Sequence, residues 1–264
     1  MARKAPKSTE LTVLRTERLS DHLTRVYFGG PGFAQFEPSV FTDSYVKIEL
    51  ESAGETVVRT YTVRFVDSEQ REIAIDFVVH GDQGVAGPWA VSARPGDTVV
   101  VRGPGGAYRP DPDADWHLLA GDETAIPAIA AALESLAPDA TGRVFLEVAG
   151  AGDEIALTAP AGVEITWLHR GTDAGSVGTG RSGANAPLVA AVTGAPWLPG
   201  EVHAFVHGEA ETVMHHLRPY IRRERGVPAA RASISGYWKR GRTEETFREW
   251  KRELAANEAG PGVI

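Results

Sequence analysis

Hydrophobic and polar positions along this chain follow two different periods. From Leu11 to about Gly103 the apolar residues fall in short runs: TVLRT, LTRVYF, YVKIEL, VVRTYTVRFV, IAIDFVV and TVVVRG. The runs are rich in β-branched and aromatic residues and separated by Gly, Pro, Asp and Ser, the signature of strands joined by turns. Six such strands in so short a stretch predict an antiparallel six-stranded β-barrel, with a sandwich as the alternative arrangement of the same strands. Pro95-Gly96-Asp97 reads as the turn into the last strand. GPGGAYRPDPDAD, residues 103–115, then reads as a linker.

From Trp116 the period changes. WHLLA, RVFLEVA, VEITWLH, VHAFVH and RASIS are strand runs, and helical patterns lie between them. PAIAAALESL is rich in Ala and Leu, with Pro127 near its first turn. TVMHHLRPYIRRERG places Val213, Leu217 and Ile221 at helical spacing ahead of Gly226, and FREWKREL places Phe247, Trp250 and Leu254 on one face. Strands alternating with helices predict a parallel sheet covered on both faces, an α/β domain of nucleotide-binding type. The domain expectation is therefore residues 1–113 for the barrel and 114–264 for the α/β unit.

Composition narrows the function classes. Over 264 residues, 27 Lys and Arg against 35 Asp and Glu give a net charge of −8, which argues against nucleic acid as the main partner. With no cysteine, disulfides, iron–sulfur clusters and thiolate chemistry are excluded. No apolar run reaches the ~20 residues that would span a bilayer. MARKAPKSTE has basic residues but no apolar segment behind it, so it does not read as a secretory signal. A cytoplasmic monomer is the expectation.

The first chemical signal is RTYT, Arg59-Thr60-Tyr61-Thr62, inside a strand run. Alternation puts Arg59 and Tyr61 on one face and Thr60 and Thr62 on the other. An isoalloxazine ring needs an aromatic face and a hydrogen-bond donor near its redox-active nitrogen, and its pyrophosphate suits a planar cation. Arg59, Tyr61 and Thr62 would supply all three. An ordinary cross-strand Arg–Tyr pair is the competing reading. HGDQGVAG, residues 80–87, reads as a strand end and glycine-bearing turn whose backbone N–H groups could converge on an anion. GDET, residues 121–124, opens the first strand–turn–helix of the second half but carries Asp122 and Glu123, which suit a helix start and would repel a pyrophosphate. GTGRSG, residues 178–183, matches a dinucleotide fingerprint only literally, lying some ten residues beyond its strand, and reads as a Gly/Ser loop. Arg170 and Arg181 in that region read as solvated loop arginines.

Four segments resemble the siderophore-interacting protein family of the ferredoxin-reductase superfamily: RTYTVR (59–64), DFVVHGDQGVAGPWA (76–90), DWHLLAGDETAIPAI (115–129) and SGYWKRG (235–241). With the strands between them they cover nearly the whole chain. The resemblance implies FAD, bound through Arg59 at the pyrophosphate, Tyr61 at the ring face and Thr62 at the N5 edge, with Thr60 counted among the cofactor-binding residues. It assigns the pyrophosphate and adenosine side to His80, Gly84, Val85, Ala86, Gly87 and Trp89. Val85 and Gly87 depart from the family's pattern, which has Pro and a hydroxyl residue there; backbone donation survives, a hydroxyl contact does not. The resemblance further implies NAD(P)H as donor, with Gly121 and Thr124 near the nicotinamide, or for some members a reduced ferredoxin. It also implies a ferric siderophore as substrate.

Ferric siderophores are often anionic, so an acidic protein needs a local basic patch. Lys47, Arg223, Lys239 and Arg240 are the candidates, and no side-chain metal site is expected. The reaction implied is hydride transfer from NAD(P)H to FAD, then reduction of Fe(III) and release of Fe(II). Two other readings stay open: a flavin reductase serving another acceptor, and a non-enzymatic siderophore- or flavin-binding protein.

Overall fold

The structure is a computed structural model and describes residues 7–80 and 84–259. Its first half is a closed barrel with strand order β1-β2-β5-β4-β3-β6. The strands are β1 (Ser8–Arg18), β2 (Leu23–Gly29), β3 (Tyr45–Ser52), β4 (Glu55–Asp67), β5 (Glu72–Val78) and β6 (Thr98–Gly105), each antiparallel to its neighbours. Alternation turns Leu11, Val13, Val26, Phe28, Val46, Ile48, Ile75, Phe77, Val99 and Val101 into one interior. β5 is buried almost throughout, because Asp76 on its second face lies under Arg25 (Nε to Oδ1 2.6 Å). A short helix, α1 (Ala86–Ser92), packs on β2 and β5.

The second half is a five-stranded parallel sheet, order β11-β10-β7-β8-β9, built from β7 (Trp116–Asp122), β8 (Thr141–Val148), β9 (Gly162–His169), β10 (Val202–Glu209) and β11 (Ala232–Trp238). Both faces are apolar, as a parallel sheet requires. α2 (Ile126–Ser135) covers one face with Ile126, Ile129 and Leu133 against Leu119, Val144 and Phe205. α3 (Pro187–Gly194) and the segment after β10 cover the other. That segment buries Val213, Leu217 and Ile221, as their spacing predicts, but winds as two wider π-helical stretches, Glu211–Leu217 and Tyr220–Glu224, on either side of Pro219. Proline has no N–H to close the normal i to i−4 bond, and the ladder opens around it.

Residues 103–115 are more than a linker. β6 takes the first three, and Tyr108 is buried with its ring 4.7 Å from Phe205 and its N–H donated to Asp43 (2.8 Å). The two halves are also tied through Arg64 on β4, which donates to Glu134 on α2 (2.8 Å), and His22, whose Nδ1 lies 2.9 Å from Asp153. A last helix, α4 (Glu244–Ala259), runs from the end of β11 across to β4: Phe247 is buried against Gly236, and Arg248 reaches the Val58 carbonyl. No helix of the described residues is long and apolar enough to cross a membrane.

Candidate functional site

β4 positions the RTYT residues as alternation demands. Tyr61 pairs with Val46 and Arg59 with Ile48, so their side chains leave on the barrel side, whereas Thr60 and Thr62 leave beside Lys47 and Tyr45. Tyr61 packs on Phe77, ring centroids 4.4 Å apart, at the start of an aromatic series that continues to Trp89 (5.6 Å) and Phe28 (6.1 Å, planes 2° apart). Loss of water pushes the Tyr61 phenol above its ordinary pKa; the Glu244 charge adds to this and Arg59 opposes it. Thr62 is buried, and on β11 burial likewise pushes the Tyr237 phenol up, against an opposing pull from the Thr62 hydroxyl.

The first turn of α4 lies on this strand. Arg59 donates to Glu245 (2.7 Å) and Thr60 to Glu244 (3.1 Å). Neither glutamate is a site residue from the sequence, because they stand more than 180 positions from their partners; the acidic pair opening a helix was the available signal. The Glu245 side chain is 53% exposed, so this pair can exchange with solvent or with another anion.

The glycine turn lies only partly within the described residues: Gly81, Asp82 and Gln83 fall outside them. Gly84 is left-handed (φ 77°) with open space where a Cβ would project, and α1 begins at Ala86 without a side-chain cap. His80 keeps a buried Nδ1 without a hydrogen-bond partner among the described residues, and burial lowers its pKa. Gly87 explains its own departure from the family pattern, since a Cβ there would lie 3.0 Å from the Val78 carbonyl oxygen. Val85 and Trp89 pack against the barrel core, so they offer a ligand little beyond backbone. A planar cation with an exchangeable partner, an unclaimed ring nitrogen, uncapped N–H groups and an aromatic platform fit a flavin dinucleotide.

The strand order of the sheet reverses between β7 and β10, the position outside whose carboxyl ends open α/β sheets bind ligands. Here that position is filled. A Cβ on Gly121 would meet Ala125 and the His207 carbonyl at 2.5 Å, and Thr124 donates its N–H to Asp122 (3.0 Å). Glu123 does not face a ligand: it forms a buried two-bond ion pair with Arg170, and burial with the Asp122 charge pushes its pKa up to about 7 against the pull of Arg170. Arg170 is thus 2% exposed and also lies 3.5 Å from Glu147, which corrects its reading as a solvated loop arginine. Arg181 donates to the Arg170 carbonyl, and GTGRSG forms short 3₁₀ turns with no dinucleotide fingerprint geometry.

Of the four candidate cations, two have contacts that lead to α4, Lys47 and Lys239. Lys47 is in register with Thr60, which bonds α4. Lys239 pairs with Glu211 (2.8 Å) with its Nζ 5.0 Å from the Trp250 ring, and Arg240 lies 5.4 Å from the Trp238 ring. Arg223 does not join them. Its neighbour Arg222 donates to Ala232 (2.8 Å), at the start of β11, while Lys239 follows the other end of that seven-residue strand, roughly 20 Å away. Among the described residues no group of His, Asp and Glu could hold a metal ion.

Residues 12–58 and 49–108 match the family model of the siderophore-interacting FAD-binding domain, and residues 114–241 match that of siderophore-interacting protein. The chain belongs to the siderophore-interacting protein family. An uncharacterised protein of Mycobacterium tuberculosis is 57% identical, over 94% of this chain and 96% of its own length. Ferric vibriobactin reductase of Vibrio cholerae is 38% identical over 73% of this chain and 68% of its own length. A solved siderophore utilization protein from T. fusca is 35% identical with a TM-score of 0.79, covering 91% of this chain and 95% of that one. These relatives place the barrel motif and the YWKRG segment within one FAD-binding family that includes a ferric reductase.

Proposed function

We propose that this protein is a ferric-siderophore reductase whose RTYT strand would hold FAD, with NAD(P)H as electron donor and Fe(III) as acceptor. The observation that carries this reading is the seating of α4 on the flavin-type strand, where Arg59 and Thr60 bond Glu245 and Glu244 while Lys239 lies 5.0 Å from the Trp250 ring of the same helix. The name of the Vibrio relative supports the same substrate class.

Arg59 holds the pyrophosphate once it displaces Glu245, and Tyr61 supports the ring. Thr62, buried on the same strand, would offer its hydroxyl to the reactive edge. His80 and the backbone of Gly84 to Gly87 serve the phosphate side. Bound flavin supplies the exchange between a two-electron donor and one-electron ferric acceptors. Lys47, Lys239 and Arg240 form a cationic dock on a protein of net charge −8, where an anionic ferric complex finds its local attraction. Once reduced, iron is held less strongly by hard oxygen ligands and leaves.

A reduced ferredoxin is the second reading for the donor, favoured by the filled, carboxylate-rich edge between β7 and β10. Anaerobic mixing of FAD-loaded protein with NADH and NADPH, followed by a ferric chelate and an Fe(II) indicator, separates the cases. Bleaching of the flavin and then Fe(II) formation is expected. Bleaching without Fe(II) would identify a flavin reductase for another acceptor, and bleaching by neither nucleotide would move the donor to a ferredoxin. Failure to bind FAD at all would sink the reading.

A further inference from the structure

Two of the segments that carry the family resemblance, DWHLLAGDETAIPAI and SGYWKRG, meet at one buried carboxylate. Asp122 ends β7 and is 5% exposed. Its Oδ1 accepts the N–H and hydroxyl of Thr124. Its Oδ2 accepts the N–H of Glu209 (2.7 Å) and the indole Nε1–H of Trp238 (2.8 Å). Gly208 makes room for it: its φ is +146°, and a Cβ there would stand 2.7 Å from Oδ2. A register shift between Gly208 and Glu209 breaks the β10–β11 ladder at the same point. Glu209, itself buried, then accepts the N–H of Arg240 (3.2 Å) and that of Thr212 (3.0 Å).

We infer that Asp122 is a positioning residue for the ferric-substrate dock. Through Trp238 it fixes the last residue of β11, and through Glu209 it fixes the turn that follows. Lys239, paired with Glu211, and Arg240, whose guanidinium lies over the Trp238 ring and donates to the Ala174 carbonyl, are thereby held in place at the end of β11. A carboxylate where a phosphate cradle would lie is in this light a scaffold for the acceptor side, and its four donors commit it to that use. The alternative, a carboxylate that serves packing only, predicts loss of stability without a change in acceptor preference. This inference rests on the ferric-reductase reading.

The test uses FAD-loaded full-length protein, ferric-EDTA as the anionic acceptor and an uncharged quinone as the other. Asp122→Asn keeps the shape but can no longer accept from all four donors. It should raise KM for ferric-EDTA about tenfold and that for the quinone less than twofold. It should also move the Trp238 indole N–H cross-peak, one of six in the protein, upfield. Trp238→Phe, which leaves Asp122 in place, should raise KM for ferric-EDTA similarly, and the double variant should add nothing further. An unchanged KM ratio alongside a moved cross-peak, or equal rises for both acceptors, overturns the inference. If the wild type reduces no ferric chelate, the function proposed above fails by itself. The inference is then decided by ferric-EDTA binding followed through tryptophan quenching: weaker in Asp122→Asn supports it, equal or undetectable binding in both proteins rejects it.

Discussion

Arg59 and Glu245 give the residue scale its most direct consequence, because they bear on flavin binding with opposite signs. An incoming pyrophosphate must take Arg59 from a carboxylate that is itself half in water. Exposed ion pairs of this kind are worth about 0.2–1 kcal/mol. Glu245→Gln should therefore tighten FAD binding about twofold to fivefold, and Arg59→Ala, which removes a charge-assisted bond of about 1.5–3 kcal/mol, should weaken it more than tenfold. Titration by quenching of flavin fluorescence reads both; equal affinity in wild type and Glu245→Gln would show that the helix start and the pyrophosphate do not share Arg59. The RTYT face pattern was legible from alternation alone, and so was the cation–aromatic–hydroxyl set. What competes for Arg59 was not, since no local pattern links position 59 to position 245. The same blindness misplaces Arg170: a glycine-rich neighbourhood suggests solvent, and its counterion Glu123 stands 47 residues away.

At the scale of elements, hydrophobic period served strands better than it served their joints. All six barrel strands and the five strands of the parallel sheet were visible as β-branched runs, because burial on one or both faces imposes that pattern. Their ends were less legible. The stretch read as a linker contains the end of β6 and the buried Tyr108, and the helix after β10 widens at Pro219. Joints also hold packing that a pattern cannot express. Gly236 sits in β11 where β10's following helix and α4 press closest: a Cβ would meet the Ala210 Cβ at 2.6 Å and its Cα at 3.0 Å, with Phe247 at 3.4 Å. Both neighbours are held by buried structure, so they have little freedom to retreat. Gly236→Ala should cost about 1–3 kcal/mol of stability as overpacking, measured by chemical denaturation. A variant at least as stable as wild type would mean that α4 and the start of the preceding helix yield without resistance.

At the scale of the whole molecule, pH acts through groups that the fold buries on the parallel sheet. Burial depresses His117 to about 4, helped by its register partner His203, and depresses His207 to about 3, helped by the Lys251 charge. A histidine held neutral in the folded state takes up its proton first in the unfolded chain, so its stabilisation is intact above about 6.5 and is lost as pH falls toward the folded value. Glu123 has the opposite sign. Raised to about 7, it favours the folded state most below about 4.5, and that contribution fades as pH rises through 7. Its gain on acidification is complete near 4.5, whereas both histidines go on losing below that, His117 by less than about 1 kcal/mol and His207 by about 2 kcal/mol. The melting temperature should accordingly decline modestly from pH 7 to 5 and steeply from 4.5 to 3. His207→Gln keeps a partner for Ser233, now 2.9 Å from His207 Nε2, without a titrating ring. Its melting temperature, followed by circular dichroism across this range, should fall less steeply than that of wild type below pH 6.5. Parallel curves would show that acid unfolding does not start at His207.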